Sequence, residues 1–470
     1  MPTYGGDEVN ALVIDVGSTW TRAGFAGEDL PKAYFPSHVG YLESEVEVSE
    51  TLDSPKENDN AATSSAAATS DQDVEMGDAS ADDAQKHEEA TNGTSKKSKK
   101  KMRQFFVGDT ESAVWRPGME IGGPLERGLV KDWDIYEKIW EHAFKSQLRV
   151  NPEEHPVMVN EAAWNTSELR TKLIEMAFEK FQCPAFYVCK NPVLAAFGTG
   201  RHTGLVLDVG GDMASACAVY EGFCLTKTIQ KQELGGELVS SQIMEKLKDD
   251  YQYEPTPLFD IKSKAPVDIL QKPDVVRYNR EGTTASYLQE MRLRAMLEFK
   301  ETTCEVLERP FNADYANNKP LKPFEFPDGF NISLGAMRFA MPEILFNPNQ
   351  FMVKRPQRLE GANLVGIHEL AIKSAMSSDV DLRPQLLNSV VLAGGSSLFP
   401  GLVDRLSLTL QQSIASSRIK MYCPNSNTER KVTAWLGGSV LASLGTFHQL
   451  WISRAEYDEH GASIVDKKCQ

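Results

Sequence analysis

Asp15 and Asp208 each close an apolar strand and open a glycine turn, in ALVIDVGSTWTRAGFAG (Ala11 to Gly27) and GLVLDVGGDMASACAVYEG (Gly204 to Gly222). The two stretches are altered copies of one pattern: a buried strand, a Gly-bearing turn and a returning strand. Gly17 and Ser18 in the first turn, and Gly210 and Gly211 in the second, suit backbone N–H groups that approach and encircle phosphate oxygens. An Asp at the strand end can hold a divalent cation through its water shell. One such turn alone says little, because most strand–Gly–strand hairpins bind nothing. Repetition in matching context implies a duplicated core with a phosphate site between its halves. A third element, SVVLAGGSSLFPGLVDRL, runs a buried strand into Gly394-Gly395, where Ser396 or Ser397 could cap the following helix. Bare helix-end N–H groups beside flexible glycines suit close approach of a nucleotide, although strand–Gly-Gly–helix also occurs for packing alone.

The elements that position these turns are legible around them. Asp132 or Asp134 can cap a helix through about Leu148, with Ile135, Ile139, Trp140, Ala143, Phe144 and Leu148 on one face. Asn165 and Glu168 form a capping-box pattern for a second helix carrying Leu169, Leu173, Met176 and Phe181. HPVMVNEA and AFYVCKN read as buried strands, and this alternation predicts an α/β fold. From Asp249 to Arg294 the text is irregular, which predicts a peripheral subdomain of loops and short elements; a helical pattern returns near Tyr287 to Glu308. Asp328-Gly329 between apolar runs is a hairpin signal. Lys354, Arg355 and Arg358 lie in a loop, VKRPQRLEGAN, that reads as solvated surface.

A chain of 470 residues is too long for one core, and 41% hydrophobic with 25% charged residues describes a soluble globular protein. The net charge of −16 is concentrated: Glu43 to Glu89 holds fifteen acidic and two basic residues, so the rest is nearly neutral. Glu43 to Lys101 lacks the apolar surface to offset its ordering entropy and is expected to be a disordered insertion. It ends in KKSKKKMR (Lys96 to Arg103), either a solvated linker end or a nuclear-import or DNA-contacting patch. No run approaches the roughly 20 apolar residues of a membrane helix, and the expectation is an intracellular chain without membrane contact. The seven cysteines are scattered, without metal-ligand spacing, and read as reduced, mostly interior thiols.

The two hairpins and the Gly-Gly element together resemble the actin, sugar-kinase and Hsp-seventy ATPase superfamily. AGFAGEDLPKAYFPSHVG, EKIWEHAFKSQLRVNPEEHPV, RFAMPEILFNP and WLGGSVLASLGTFHQLWISRAEYDEHG resemble actin itself over nearly the whole chain outside the insertions. YGGDEV at Tyr4 to Val9 and MSSDVDLRPQL at Met376 to Leu386 are similar to the fourth actin-related-protein subfamily. The resemblance implies an actin-like duplicated ATPase fold, α/β, with two lobes of two subdomains each around a nucleotide cleft. Its boundaries would be 1–36, 124–198 and 429–470 for subdomain 1, 37–123 for subdomain 2 with the insertion at about 43–104, 199–235 and 366–428 for subdomain 3, and 236–365 for subdomain 4. It implies ATP with Mg2+ or Ca2+ as cofactors, the metal held through water by Asp15 and Asp208. Gly17, Ser18, Thr19, Arg22, Gly210 and Gly211 would surround the phosphates, and Gly236, Lys300, Glu301, Gly394, Gly395, Ser396 and Lys431 the nucleoside. Arg22 stands where actin has a phosphate-facing Lys, a planar fork for a compact charge.

Departures from actin bear on turnover and assembly. Where actin positions water with a Gln this chain has Asn191, one methylene shorter, and where actin has a His it has Ser215. Asp212 takes a position that is Gly in actin, where a carboxylate could repel phosphate or assist the cation. These changes favour a bound, slowly turned-over nucleotide and no catalytic residue. The insertion replaces the loop by which actin subunits join, and its charge should obstruct self-assembly. The subfamily resemblance implies a nuclear scaffold subunit of chromatin-remodelling and histone acetyltransferase complexes. Its partners would be actin, other actin-related proteins, an HSA helix of a remodeller ATPase or acetyltransferase-complex scaffold, and histones or linker DNA. Phe197, Leu444 and Thr446 match the lining of actin's partner groove, although any apolar residue among them is individually more often core. The alternatives are an active actin-like ATPase capable of self-assembly and, on fold analogy alone, a small-molecule kinase.

Overall fold

The computed structural model describes residues 10–49, 97–415 and 417–470. The chain divides into a large unit, Met1–Leu42 with Phe105–Gln470, and a small one, Glu43–Gln104. The large unit is α/β and holds two sheets built on one plan.

The first sheet contains β1 (Leu12–Val16), β2 (Trp20–Phe25), β3 (Ala33–Pro36), β4 (Val157–Glu161) and β5 (Ala185–Lys190), in the order Ile452–Ser453, β5, β4, β1, β2, β3. Hairpin β1–β2 is antiparallel, and β4 runs parallel to both β1 and β5. Helix α1 (Asn191–Gly198) leaves β5 directly and leads to the second sheet. There β6 (Gly204–Val209) and β7 (Ala214–Tyr220) repeat the antiparallel hairpin, with β8 (Val390–Ala393) parallel to β6. Apart from Asp15 and Asp208 near their carboxyl ends, β1 and β6 are apolar and buried, as is β8, which suits strands covered on both faces. Each sheet anchors its own core, one including Ile14, Trp140, Phe186 and Trp435, the other Leu207, Ile243, Phe299 and Leu406.

α1, which packs against strands of both sheets, crosses α2 (Thr433–Ser443) with no side chain between the backbones. A Cβ on Gly198 would lie 2.1 Å from Thr433 O, and one on Gly437 only 1.7 Å from Leu194 O. Between these glycines the fully buried Trp435 donates its indole N–H to Val13 O at 3.0 Å, fixing α2 to the strand that carries Asp15.

Several local expectations are corrected. The first helix is capped by Asp132, whose carboxylate accepts from Ile135 N at 3.1 Å, but its α-helical part is Trp133–Glu141 and a wider turn, His142–Leu148, completes it. Thr166, not Asn165, caps the second helix; Asn165 is drawn off by Glu161, to which its amide donates at 2.8 Å. Ser396 and Ser397 cap no helix, because Gly395–Leu398 is a 3-10 turn and the next helix, Leu402–Ser413, starts after Gly401. Their hydroxyls instead donate to Gly210 O and Gly394 O, both at 2.7 Å. The Asp328-Gly329 turn joins strands Lys322–Glu325 and Asn331–Leu334 as expected.

In the small unit, the ends of the insertion are strand. Residues 43–49 continue the strand Val39–Ser49, and 97–104 belong to Lys97–Phe106, its pairing neighbour. Arg103 Nε meets Glu43 Oε1 at 3.1 Å. The remainder of the acidic tract, and the start of the basic cluster at Lys96, lie outside the described residues. Among the described residues no helix is long and apolar enough to cross a membrane, and all seven cysteines are free, six of them buried.

The crossing of α1 and α2 makes a direct prediction. Gly437→Ala should destabilise the chain by about 3 kcal/mol or more, because the added methyl meets rigid backbone rather than a movable side chain. Chemical denaturation of the variant beside an alanine at the exposed Ser443 measures this, with little change expected at the control site.

Candidate functional site

The carboxyl ends of β1, β4, β5 and β6 converge on one cavity of about 640 Å³. Asp15, Asn160, Asn191 and Asp208 follow from that convergence, since parallel strands end together. They form a continuous chain of hydrogen bonds between the lobes. Arg22 Nη1 donates to Asp15 Oδ2 at 3.1 Å, and Asn160 Nδ2 donates to Asp15 Oδ1 at 2.6 Å and to Asn191 Oδ1 at 3.1 Å. Asn191 Nδ2 closes the chain on Asp208 Oδ2 at 2.8 Å. Two buried polar atoms in it, Asn160 Oδ1 and Arg22 Nε, have no partner. Burial, with the Asp15 carboxylate nearby and against the opposing Asn191 hydrogen bond, pushes the Asp208 carboxyl up to about 6. A cation between the lobes would reverse that cost.

The glycine turns bring the two loops into contact. Thr19 Oγ1 donates to Glu237 Oε1 at 2.7 Å, and Asp212 N donates to Ser18 Oγ at 3.3 Å. A Cβ on Gly211 would fall 2.0 Å from Thr19 Oγ1, so only glycine admits this approach. Gly394 takes a positive φ of 89° and leaves 2.4 Å between a built Cβ and Asp208 Oδ1, whereas a Cβ on Gly395 would meet nothing within 4 Å. The backbone there is open to an incoming group. Lys300 is buried among Gly236 O at 2.7 Å and Ser240 Oγ at 2.9 Å, and burial lowers its pKa to about 8. Lys431 Nζ pairs with Glu301 Oε1 at 3.3 Å.

Every residue that the sequence assigned to phosphate, cation or nucleoside lines this one cavity: Asp15, Gly17, Ser18, Thr19, Arg22, Asp208, Gly210, Gly211, Gly236, Lys300, Glu301, Gly394, Gly395, Ser396 and Lys431, with Asn191 and Ser215. Among the described residues no three His, Cys, Asp or Glu side chains gather as direct metal ligands. Two facing carboxylates, orphaned polar atoms and glycine-lined walls fit a polyphosphate whose cation keeps its waters. A family model described as Actin matches residues 6–470. The chain belongs to the actin family, in its actin-related protein 4 branch. "Actin-related protein 4" of Oryza sativa subsp. indica is 37% identical over 99% of this chain and 100% of its own length. Proteins of the same name from Arabidopsis thaliana, at 36% over 99% and 100%, and Schizosaccharomyces pombe, at 34% over 99% of both chains, are similar throughout. Members of the actin family bind a nucleotide with a divalent cation.

Phe197, Leu444 and Thr446 lie elsewhere. Phe197 is half-buried in α1, with its ring 3.6 Å from a Cβ built on Gly222, and Leu444 and Thr446 are exposed just after α2. Two features of the cavity escaped the sequence. Asn160 was legible only as part of a buried strand, although a polar residue at that strand's end was its signal. The other is the contact of 105–122 with 282–294, which reaches the cavity through Asp109, Glu290, Leu293 and Arg294. Trp115 Nε1 donates to Thr283 Oγ1 at 2.9 Å, Tyr287 OH to Ala113 O at 2.8 Å, and Ile121 N to Ser286 Oγ at 2.9 Å, over a small core of Phe106, Met119, Tyr287 and Met291. His38 Nδ1 meets Glu290 Oε2 at 3.0 Å beside it.

Burial alone would lower the His38 pKa, but the hydrogen-bonded Glu290 carboxylate, aided by Glu237 and opposed by Arg294, raises it above 6.5. Against its burial, the same pair holds Glu290 down to about 2. The bond therefore contributes fully below the unperturbed His value and is lost as pH rises through the raised one. Amide exchange at 119–122, corrected for its intrinsic pH dependence, should speed by about tenfold from pH about 6 to about 8.5. His38→Gln should flatten this profile.

Proposed function

We propose that this chain is a non-filamentous, ATP-binding scaffold subunit of nuclear chromatin-remodelling and histone acetyltransferase complexes, with little or no hydrolysis. ATP with Mg2+ or Ca2+ occupies the cavity; Asp15 and Asp208 hold the metal's waters, and Gly17, Ser18, Thr19, Arg22, Gly210 and Gly211 hold the phosphates. Gly236, Lys300, Glu301, Gly394, Gly395, Ser396 and Lys431 surround the nucleoside. The subdomain boundaries follow the actin pattern given above, with the insertion at about 43–104 obstructing filament contacts. Phe197, Leu444 and Thr446 receive an HSA-type helix beside actin, and histones or linker DNA are further contacts.

The observation that carries this reading is the engagement of Asn191. Its amide uses both ends on protein, accepting from Asn160 and donating to Asp208. A side chain so tied holds the two aspartates in register across the cleft instead of orienting an attacking water. Ser215, opposite Asp208 in the β6–β7 pair, offers no proton relay near neutral pH. Closure on nucleotide then sets the shape that partners bind.

Purified chain should carry intact ATP, with negligible release of terminal phosphate, and should bind an HSA helix together with actin. Bound ADP with sustained phosphate release, or salt-induced filaments, would overturn the reading in favour of an active ATPase. The double variant Asn191→Gln, Ser215→His should raise single-turnover phosphate release by at least about tenfold, a conservative share of what a positioned acid–base group supplies.

A further inference from the structure

Asp212 reads in the sequence as a carboxylate intruding on a phosphate loop, and Arg358 as part of a solvated basic loop. In the structure the two meet, with Arg358 still exposed. Arg358 Nη1 lies 3.4 Å from Asp212 Oδ1, and its Nε 3.6 Å from Glu233 Oε2. From the first lobe, Arg127 N donates to Asp212 Oδ2 at 3.1 Å, and Arg127 Nε meets Glu233 Oε1 at 2.7 Å. Two arginines and two carboxylates thus alternate around a ring, the acids nearly buried and the arginines about half exposed. Both oxygens of Asp212, which lines the cavity, face donors that offset part of its charge.

The first-lobe side of this ring is rigid. Arg127 (φ 53°) and Gly128 (φ 76°) form the two-residue turn between strands Leu125–Glu126 and Leu129–Val130. The left-handed conformation of a non-glycine costs about 1 kcal/mol, and Trp164 holds it by donating its indole N–H to Arg127 O at 3.0 Å. In this turn Arg127 N donates to Asp212 Oδ2. On the other side, Asp212 N is bound to Ser18 Oγ of the first phosphate loop. Residue 212 therefore touches the first lobe by its backbone and by its side chain.

We propose that Asp212, Arg127, Glu233 and Arg358 form an ionic clasp that holds the second phosphate loop closed on the first lobe and sets how long a nucleotide stays in the cleft. This rests on the nucleotide-retaining reading above. The four act as positioning residues: none needs to touch the phosphates, and their effect passes through the 210–213 loop. Removing Asp212 leaves two arginines sharing one carboxylate; truncating Arg127 breaks its pair with Glu233 and leaves only the backbone N–H on Asp212. Because Arg127 and Asp212 are links of one connected ring, their effects should not add.

The test loads the full chain with radiolabelled ATP and chases with excess unlabelled ATP, while amide exchange is followed over 125–130 and 210–213. Asp212→Asn and Arg127→Ala should each speed dissociation by about tenfold, the factor equivalent to about 1.4 kcal/mol, with the double variant no faster than the faster single one. Arg127→Lys, which restores a cation for Glu233, should recover most of the residence time. Lys354→Ala, in the same loop as Arg358 but 3.9 Å from Glu245, should match wild type. Exchange over both segments should rise in the first two variants at unchanged thermal midpoint. Wild-type rates in Arg127→Ala and Asp212→Asn, or fully additive effects, would overturn the clasp. A wild-type chain that retains no ATP would instead overturn the nucleotide-retaining reading. The clasp then stands or falls on exchange alone, supported by protection that the variants lose and refuted by protection that they keep.

Discussion

The contact on which the rest depends is the crossing of α1 and α2, backbone against backbone at Gly198 and Gly437. Its closeness leaves neither helix room to slide. α1 carries Asn191 at its first position and leads into β6, which ends in Asp208; α2 carries Trp435, bonded to the strand that ends in Asp15. Fixing two helices therefore fixes the separation of two carboxylates that belong to different sheets. Each core is large enough to stand alone, but neither specifies the distance across the cleft.

Within that frame the cavity is electrostatically unfinished. Two carboxylates are held near each other with one compensating guanidinium, an asparagine pair bridges the gap, and Asp208 is pushed towards protonation. On the facing wall Lys300 is buried, donating to the Gly236 carbonyl and the Ser240 hydroxyl. Such an arrangement is stabilised by a polyanion with its cation, which supplies negative charge to Lys300 and Arg22 and positive charge to the aspartates. The rest of the wall resists opening: the hydrogen bonds around Trp115 and Tyr287, the His38–Glu290 pair and the ring around Asp212 all join segments on opposite sides of the cavity. The sum is a cleft arranged to stay shut around what it holds.

Much of this was written in local sequence. Strand ends and glycine turns have strong short-range signatures, so the repeated Asp-Val-Gly pattern located Asp15 and Asp208, and the glycines located the loops. Cap assignments were weaker where candidates competed. Asn165 satisfied the pattern, but its Oδ1 accepts from the adjacent Thr166 N while its amide donates to Glu161, leaving Thr166 to cap, and Ser396 donates to the Gly210 carbonyl. The acidic composition of the insertion hid the strands at its ends, because pairing with a neighbour offsets what composition alone does not.

By itself the sequence determined the duplicated α/β plan and the glycine turns that carry Asp15 and Asp208, because these follow from residue types at short spacing; Gly236, Lys300, Glu301 and Lys431 came only from the resemblance to actin. The tertiary structure alone decided how those parts face one another. Asn160 became a bridge only once β4 lay between β1 and β5, Asp212 became a clasp only against an arginine from another lobe, and His38 found Glu290 far along the chain. Each of these depends on contacts between residues distant in sequence, whose geometry is set by how two cores dock and by nothing in the local pattern.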